Sequence, residues 1–266
     1  MGYYYWPKVK LKLLGEEVFG DKVKKMNFLY SSYSRIWYRI TPNEIIQFLG
    51  LRRYSDGEFD FSFICQPLFV PIIESILDAK CGQAPSNQEE SGVVLMSNMM
   101  EMDMIGFDDI SAVITRKSTK DDIIKHMNRT FDVVIRPFFE RSVDVMSCYE
   151  EYRKIKMIRN EYIRRHTTQQ EWKKMEDMPT SSAMDIYVNI YLKNYEKASE
   201  EIMEHENRII KLENMGRLKG VGNHSMYYSL LPMVQMQSEK DCAEFIDSNR
   251  KRNLSILEKR GFVLEF

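Results

Sequence analysis

Cysteine and histidine, which often bind metals or act in catalysis, are scarce in this sequence, with four of each. Its four cysteines are scattered and form no C-x-x-C pair, which argues against a zinc knuckle or a redox dithiol and suits a reducing cytosol. No G-x-S-x-G occurs, and the Gly-rich stretch 220–225 lacks the spacing of a phosphate-binding loop. The sequence therefore predicts no bound cofactor and no metal.

Long apolar runs and an excess of charge of one sign are missing as well. No apolar run approaches the roughly 20 residues of a membrane span, and the N-terminus lacks the basic and apolar regions of a signal peptide. Because 38 Lys and Arg balance 39 Asp and Glu, the chain has no general attraction to nucleic acid or to an anionic membrane. These absences predict a cytoplasmic protein without membrane contact, whose partner is another protein, with nucleic acid as a weaker candidate.

The sequence does contain a change of hydrophobic period near residue 116. Before it, aromatic and β-branched residues alternate over short stretches, as half-buried strands do. After it, long charged segments carry apolar residues at the three- and four-residue spacing of amphipathic helices. The sequence thus predicts an α+β fold. An antiparallel sheet of four or five strands, preceded by an amphipathic helix or two short helical pieces over 8–30, occupies 1–115. A largely helical half, 116–266, packs on one face of the sheet as one domain.

The links between the predicted strands are short. Turn residues follow Thr41, and Ser55-Asp56-Gly57 is a hairpin signal, so the links cannot carry a parallel crossover and a meander is expected. The predicted strands are 33–41, 44–54, one that begins at Phe59, 109–115 and an edge strand at 262–266.

Proline, glycine and serine define the ends of the predicted helices. Pro137 predicts an interruption near Arg136 and a new helix from there to about Ile158. Ser181 or Ser182 caps a helix that continues to about residue 217, where Gly216 ends it. The last helix covers 238–259 and ends at Gly261.

Three stretches of the sequence share their order with a known family: the strand region 36–65, the segment 135–141 with its Pro-Phe-Phe-Glu-Arg sequence, and the helix 191–198. In that order they resemble an uncharacterised family of bacterial domains of unknown function, which pair an antiparallel sheet with a helix that starts at such a signature. The match covers about half of the chain in patches and departs at 70–108 and 159–182. The resemblance implies an immunity-like or defence-associated role and carries no catalytic residue.

The candidate binding residues are Trp37, Met99 and Met102. The segment 96–104 contains five methionines, and methionine fits irregular binding surfaces. A segment that lines the core would explain the same cluster. The sheet face with Trp37 and the acidic, Met-rich segment 96–109 are the predicted surface for a protein partner.

The candidate catalytic residues are Arg159 and His166. Seven positions apart on a helix, they lie on one face about two turns apart. With Asn160, they resemble the R-x(4–6)-H signature of helical ribonucleases of prokaryotic defence systems. That resemblance implies that the arginine stabilises the phosphate charge, that the histidine moves the 2′-hydroxyl proton, and that Arg164 and Arg165 contact phosphates. A solvated, basic helix end explains the same residues.

Two carboxylate–imidazole pairs at i and i+4 are weaker candidates for a metal site. They are Glu201 with His205 and Asp122 with His126, and two ligands do not make a site. The first hypothesis for function is accordingly a non-enzymatic protein-interaction module, immunity-like or defence-associated. The alternative is a metal-independent ribonuclease that uses the Arg-x6-His motif.

Overall fold

The structure, a computed structural model, describes residues 4–5, 11–34, 36–53, 58–72, 93–96, 119–166, 183–216 and 227–264. It confirms the α+β class, with an antiparallel sheet followed by a largely helical half. The strands are β1 (Tyr4–Tyr5), β2 (Leu29–Ser31), β3 (Ile36–Ile40), β4 (Ile45–Arg53), β5 (Glu58–Pro67) and β6 (Val93–Met96).

The sheet has the predicted meander at its centre. Its order is β1-β5-β4-β3-β2, β6 also pairs with β5, and every pairing is antiparallel. The register runs from Arg53 opposite Phe59 to Ile45 opposite Pro67 across the β4–β5 hairpin. The described sheet contains six strands instead of four or five because the short strands β1 and β6 add to β5. The predicted strand 109–115 lies outside the described residues.

The helices are α1 (Leu11–Lys25), α2 (Lys120–Thr130), α3 (Arg136–Arg141), α4 (Val145–His166), α5 (Ala183–Tyr191), α6 (Tyr195–Asn214), α7 (Leu231–Gln235) and α8 (Glu239–Lys259). A π-helical stretch, Phe131–Ile135, joins α2 to α3, and a short 3-10 turn, Tyr228–Leu230, precedes α7.

The break predicted near Arg136 is present only in part: α2 ends at Thr130 and α3 begins at Arg136, but a π-helical stretch joins them. The Arg136 N–H donates to the Phe131 carbonyl, five residues back, so the π-helical stretch carries the chain into α3. Pro137 then lies at the start of α3, and because a proline has no N–H, it removes one backbone hydrogen bond from this helical path. The helical path ends later, at Ser142, and a new helix begins at Val145.

The helix predicted from 181 to 217 is in fact two helices. The chain turns between Tyr191 and Tyr195, where Lys193 adopts a positive φ of 60°. In contrast, the last helix begins and ends as predicted: the Ser238 hydroxyl accepts a hydrogen bond from the Asp241 N–H, and Gly261 follows the C-terminus at φ 71°.

Both faces of the sheet are covered, whereas the sequence predicted helices on one face. On one face, Ile45 and Leu49 of β4 join a core with residues of α1 to α8. On the other, Ile46 and Phe48 pack with a smaller set that includes Leu257 and Phe262. The two covered faces explain why apolar residues in β4 stand side by side instead of alternating.

The predicted edge strand at 262–266 is replaced by a packed terminal segment over the described 262–264. The Tyr38 hydroxyl accepts a hydrogen bond from the Val263 N–H (2.6 Å) and donates to the Val263 carbonyl (3.2 Å). Phe262 meanwhile packs edge-on against Tyr38, with 4.4 Å between ring centroids. The terminal backbone is thereby held by a side chain, which leaves Val263 unavailable for strand pairing.

Candidate functional site

Helix α4 is the element on which the predicted and the observed functional features meet. Its inward side carries Tyr149, Tyr152 and Ile155, all of which are buried in the main core. Its outward side is solvent-exposed, and the helix as a whole contains both predicted catalytic positions.

A buried polar cluster joins the inward side of α4 to α5. Its centre is Asp185, which is 4% exposed and lies in the first turn of α5. The Tyr149 hydroxyl donates to one carboxylate oxygen (3.1 Å), while the Tyr152 hydroxyl (3.0 Å) and the Lys156 ammonium (2.6 Å) donate to the other. We call these four residues, with Asn189, the Asp185 cluster.

Asn189 extends the cluster along α5 to the turn before α6. Its side-chain N–H donates to the Tyr149 hydroxyl (3.3 Å) and to the Asp185 carbonyl (2.8 Å), and its oxygen accepts from Asn194 (3.4 Å). The hydrogen bonds therefore form a chain with one direction, from Asn194 through Asn189 and Tyr149 to the Asp185 carboxylate. Such a fully connected network fixes how two helices pack.

The electrostatics of the cluster keep the Tyr149 hydroxyl protonated. Burial raises the pKa of the Tyr149 hydroxyl, and the neighbouring negative charge of Asp185 raises it further. Tyr149 therefore stays a neutral donor, and the Lys156 ammonium contacts the same carboxylate at 2.6 Å. Both oxygens of the Asp185 carboxylate accept hydrogen bonds from α4, so the cluster holds α4 and α5 together.

Sequence reasoning missed the Asp185 cluster. Its local signal is weak: Tyr149, Tyr152 and Lys156 have helical spacing, as do Asp185 and Asn189, but such spacings are common on any helix. The two sets are 29 or more positions apart in sequence, and only the packing of α5 on α4 brings them together.

The outward side of α4 presents a stripe of exposed residues, which we call the α4 face. It consists of Met146, Glu150, Arg153, Met157 and Arg164. Met146 is 48% exposed and Met157 is 70% exposed. At 100° per residue, the five positions fall within roughly 60° of one another around the helix axis.

The predicted catalytic positions, Arg159 and His166, both lie in α4. The helix is continuous, so they are two turns apart on one side, as the motif requires. Their side chains are outside the part of the structure that is described. Arg164 and Arg165, the expected phosphate contacts, both pair with Glu161 at 2.9 and 2.8 Å.

The predicted binding residues lie elsewhere. Trp37 is 5% exposed, and its ring packs between Phe19 of α1 and Tyr30. Helix α1 covers this face of the sheet, so the Trp37 side chain contributes to the core and offers no surface to a partner. Met99 and Met102 lie outside the described residues.

The candidate metal ligands Glu201 and His205 contact other side chains in the structure. The Glu201 carboxylate lies 3.4 Å from the Lys197 ammonium, whereas His205 is buried and meets the Tyr227 ring edge-on. The side chains of Asp122 and His126 are not described. Among the residues whose placement is described, no group of three or more His, Cys, Asp or Glu side chains is arranged to hold a metal ion.

The described cysteines are buried, and their thiols are held in the neutral form. Cys65 and Cys148 lie in the main core, and burial raises the pKa of both. A neutral, inaccessible thiol is a poor nucleophile. The two cysteines therefore serve packing.

The described helices include none that is both long and apolar enough to cross a membrane. Comparison with protein-family models, with curated proteins and with solved structures finds no match for this chain.

Proposed function

We propose that this chain is a protein-interaction module and that it binds its partner through the α4 face. One observation carries the proposal: Met146 and Met157 expose about half or more of their side chains on one side of a helix. They are eleven positions apart, which is about 16 Å along the axis. A partner helix or loop spans that distance easily.

The residue types of the α4 face support this proposal. Methionine and arginine are enriched at protein interfaces relative to the rest of the surface, and the face combines two of each. Methionine also adapts its shape to a partner at little cost. The Arg153 guanidinium lies 5.9 Å from the centre of the Tyr149 ring, one turn closer to the N-terminus of the helix.

The opposite side of α4 is fixed, which favours binding. Tyr149, Tyr152 and Ile155 are buried, and the Asp185 cluster ties the helix to α5. A surface that is already ordered loses little conformational entropy when a partner binds. In this proposal the protein is bacterial and cytoplasmic, and its immunity-like or defence-associated role rests on the family resemblance of the sequence.

The test compares two pairs of neutral substitutions. Met146→Gln with Met157→Gln removes the apolar part of the α4 face, and Met203→Gln with Met236→Gln, which changes two exposed methionines elsewhere, is the control. Tagged proteins are used to capture partners from the source organism, with mass spectrometry. We expect a stoichiometric protein that the wild type and the control retain and the α4 variant loses. Equal capture by all three would refute the assignment of this face.

The alternative function is a metal-independent ribonuclease that uses Arg159 and His166. The observation in its favour is the unbroken course of α4 from Val145 to His166, which keeps the two positions on one side. Those positions lie about 180–200° around the helix from Met157. They are thus on the side where Tyr152 and Ile155 are buried.

Because the two functions use opposite sides of one helix, substitutions separate them. Arg159→Ala with His166→Ala should abolish cleavage of a quenched single-stranded RNA in EDTA if the ribonuclease function holds, and should leave partner capture intact if it does not. Circular dichroism checks the fold of the variant. If the double alanine variant unfolds, the single variants Arg159→Lys and His166→Gln are measured in its place. A wild type that leaves the RNA uncut contradicts the ribonuclease.

A further inference from the structure

The C-terminal half of α4 concentrates positive charge. Residues 153–166 contain six Lys and Arg and one acidic residue, although the whole chain has a net charge of −1. Cations in the last turns complement the helix dipole, but that effect is confined to the last turn. The dipole therefore accounts for the positions of Arg164 and Arg165. It does not account for Arg153 and Lys154, which lie three turns earlier.

The described side chains show how much of this charge faces solvent. Lys156 is neutralised inside the Asp185 cluster. Arg164 and Arg165 share the single carboxylate of Glu161, and their hydrogen bonds hold its pKa below the ordinary value, so it stays ionised. That trio retains one net positive charge. The exposed Arg153 and Lys154 add two more, on either side of Met157 around the helix.

We infer that the partner presents an acidic segment, with at least one apolar side chain, to the part of the α4 face between Arg153 and Arg164. This inference rests on the proposed function. Clusters of arginine are a recurrent way of recognising acidic segments in proteins, and opposite charge steers such partners together. The apolar side chain of the partner packs on Met157, which is 70% exposed and lies among these charged positions.

An acidic protein segment fits this surface better than RNA. Proteins that hold single-stranded nucleic acid without sequence preference place aromatic side chains where bases stack. The exposed centre of the described α4 face is a methionine, Met157, which packs against apolar side chains. In addition, the near-neutral chain lacks the broad positive field that attracts a polyanion.

The test measures binding of a defined probe to the whole chain. The probe is a fluorescein-labelled peptide of repeated Glu-Leu-Asp-Glu units, followed by anisotropy at low and at physiological salt. The neutral analogue Gln-Leu-Asn-Gln and a labelled single-stranded RNA are measured beside it. The test variant is Arg153→Glu with Lys154→Glu. Lys240→Glu with Lys251→Glu, two exposed lysines of α8, is a control with the same change of charge.

We expect the acidic peptide to bind the wild type and the α8 control alike, and to bind the α4 variant about tenfold more weakly or worse. Added salt should weaken binding to the wild type and have less effect on the variant. The neutral analogue should bind more weakly than the acidic peptide.

Three results would overturn the inference: no saturable binding of the acidic peptide, equal loss in both charge-reversed variants, or tighter binding of the RNA that the α4 variant loses. The same variants in the capture experiment keep the two proposals apart. A partner retained by Arg153→Glu with Lys154→Glu but lost by the two Met→Gln changes would leave the interaction face in place and refute only its acidic ligand.

Discussion

At the scale of single residues, the carboxylate of Asp185 exchanges water for three protein donors when the chain folds. The three donors, Tyr149, Tyr152 and Lys156, all belong to α4, so the one carboxylate from α5 accepts hydrogen bonds from three side chains of the neighbouring helix. Hydrogen bonds to a charged group are stronger than neutral ones, and a buried charge that loses its partner is costly. The stability of this helix pair therefore depends on the charge of Asp185.

We predict that Asp185→Asn lowers the free energy of unfolding by about 2–4 kcal/mol. The amide keeps the shape of the side chain but removes the charge that Lys156 faces, and it turns one acceptor into a donor. Urea unfolding followed by circular dichroism measures the change. Glu239→Gln, which removes the partner of the exposed Lys193, should leave the unfolding midpoint unchanged. A midpoint for Asp185→Asn equal to that of wild type would contradict the role given to the cluster.

We also predict that the protein loses stability above about pH 10, in part through Tyr149. Its pKa is raised in the folded state by burial and by Asp185, while a tyrosine in the unfolded chain ionises near pH 10. The folded state thus holds the proton more tightly, so stability is full below the unfolded pKa and declines as pH rises towards the folded one. Urea midpoints between pH 8 and 11 should fall less for Tyr149→Phe than for wild type. Parallel curves would show that Tyr149 ionises normally.

At the scale of elements, four helices end in the same way. After α1, α5, α7 and α8, one residue adopts a positive φ, its N–H bonds to the carbonyl three residues back, and the next N–H bonds five back. This is the Schellman motif. The residues at positive φ are Asn27, Lys193, Gln237 and Gly261.

Of these four residues only Gly261 is a glycine. A glycine after a helix is the signal from which a sequence predicts the end of that helix. Gly261 marks the end of α8 because glycine adopts a positive φ without strain, and that end was predicted. Lys193 gives no such signal, so the sequence predicted one helix from 181 to 217. The Asp185 cluster supplies the missing reason, since Asn189 holds Asn194 and thereby fixes the turn.

We predict that Lys193→Gly raises the stability of the protein by about 0.5–1 kcal/mol. The left-handed backbone costs a lysine more than it costs a glycine, and this gain exceeds the added freedom of glycine in the unfolded chain. The exposed contact between Lys193 and Glu239 contributes little. Thermal unfolding measures the change, with Lys197→Gly in the first turn of α6 as a control that should destabilise. A lower midpoint for Lys193→Gly would mean that the turn is not strained.

At the scale of the whole molecule, the end of the chain completes a second core on the far face of the sheet. Phe262 packs on Tyr38 and Phe48, with 4.4 and 5.9 Å between ring centroids. Asn253 of α8 donates to the carbonyls of Leu68 and Val70, 185 and 183 residues earlier in the chain. The sheet is thus held between the main core and the C-terminal segment.

We predict that Phe262→Ala costs about 3 kcal/mol of stability, although the residue lies only four positions before the last residue of the sequence. The loss comes from a buried ring and the cavity it leaves beside Tyr38. Urea unfolding measures it, with the exposed neighbour Val263→Ala as the control expected to change little. A cost for Phe262→Ala as small as that of the control would mean that the terminal segment is frayed and the second face uncovered.

The sequence by itself determined the class of fold and the features whose physics is local. Short turns between alternating stretches allow only antiparallel pairing, and the Ser238 cap and Gly261 define α8 because capping bonds and backbone sterics act within a few residues. The tertiary structure alone decided which side chains are buried and which polar groups meet. Trp37 lies in the core because α1 covers its face, and Met157 stays exposed because Tyr152 and Ile155 take the inward side of α4. The Asp185 cluster exists because two helices far apart in sequence pack together. Burial and long-range hydrogen bonds are properties of packed pairs of elements, and no single stretch of sequence contains them.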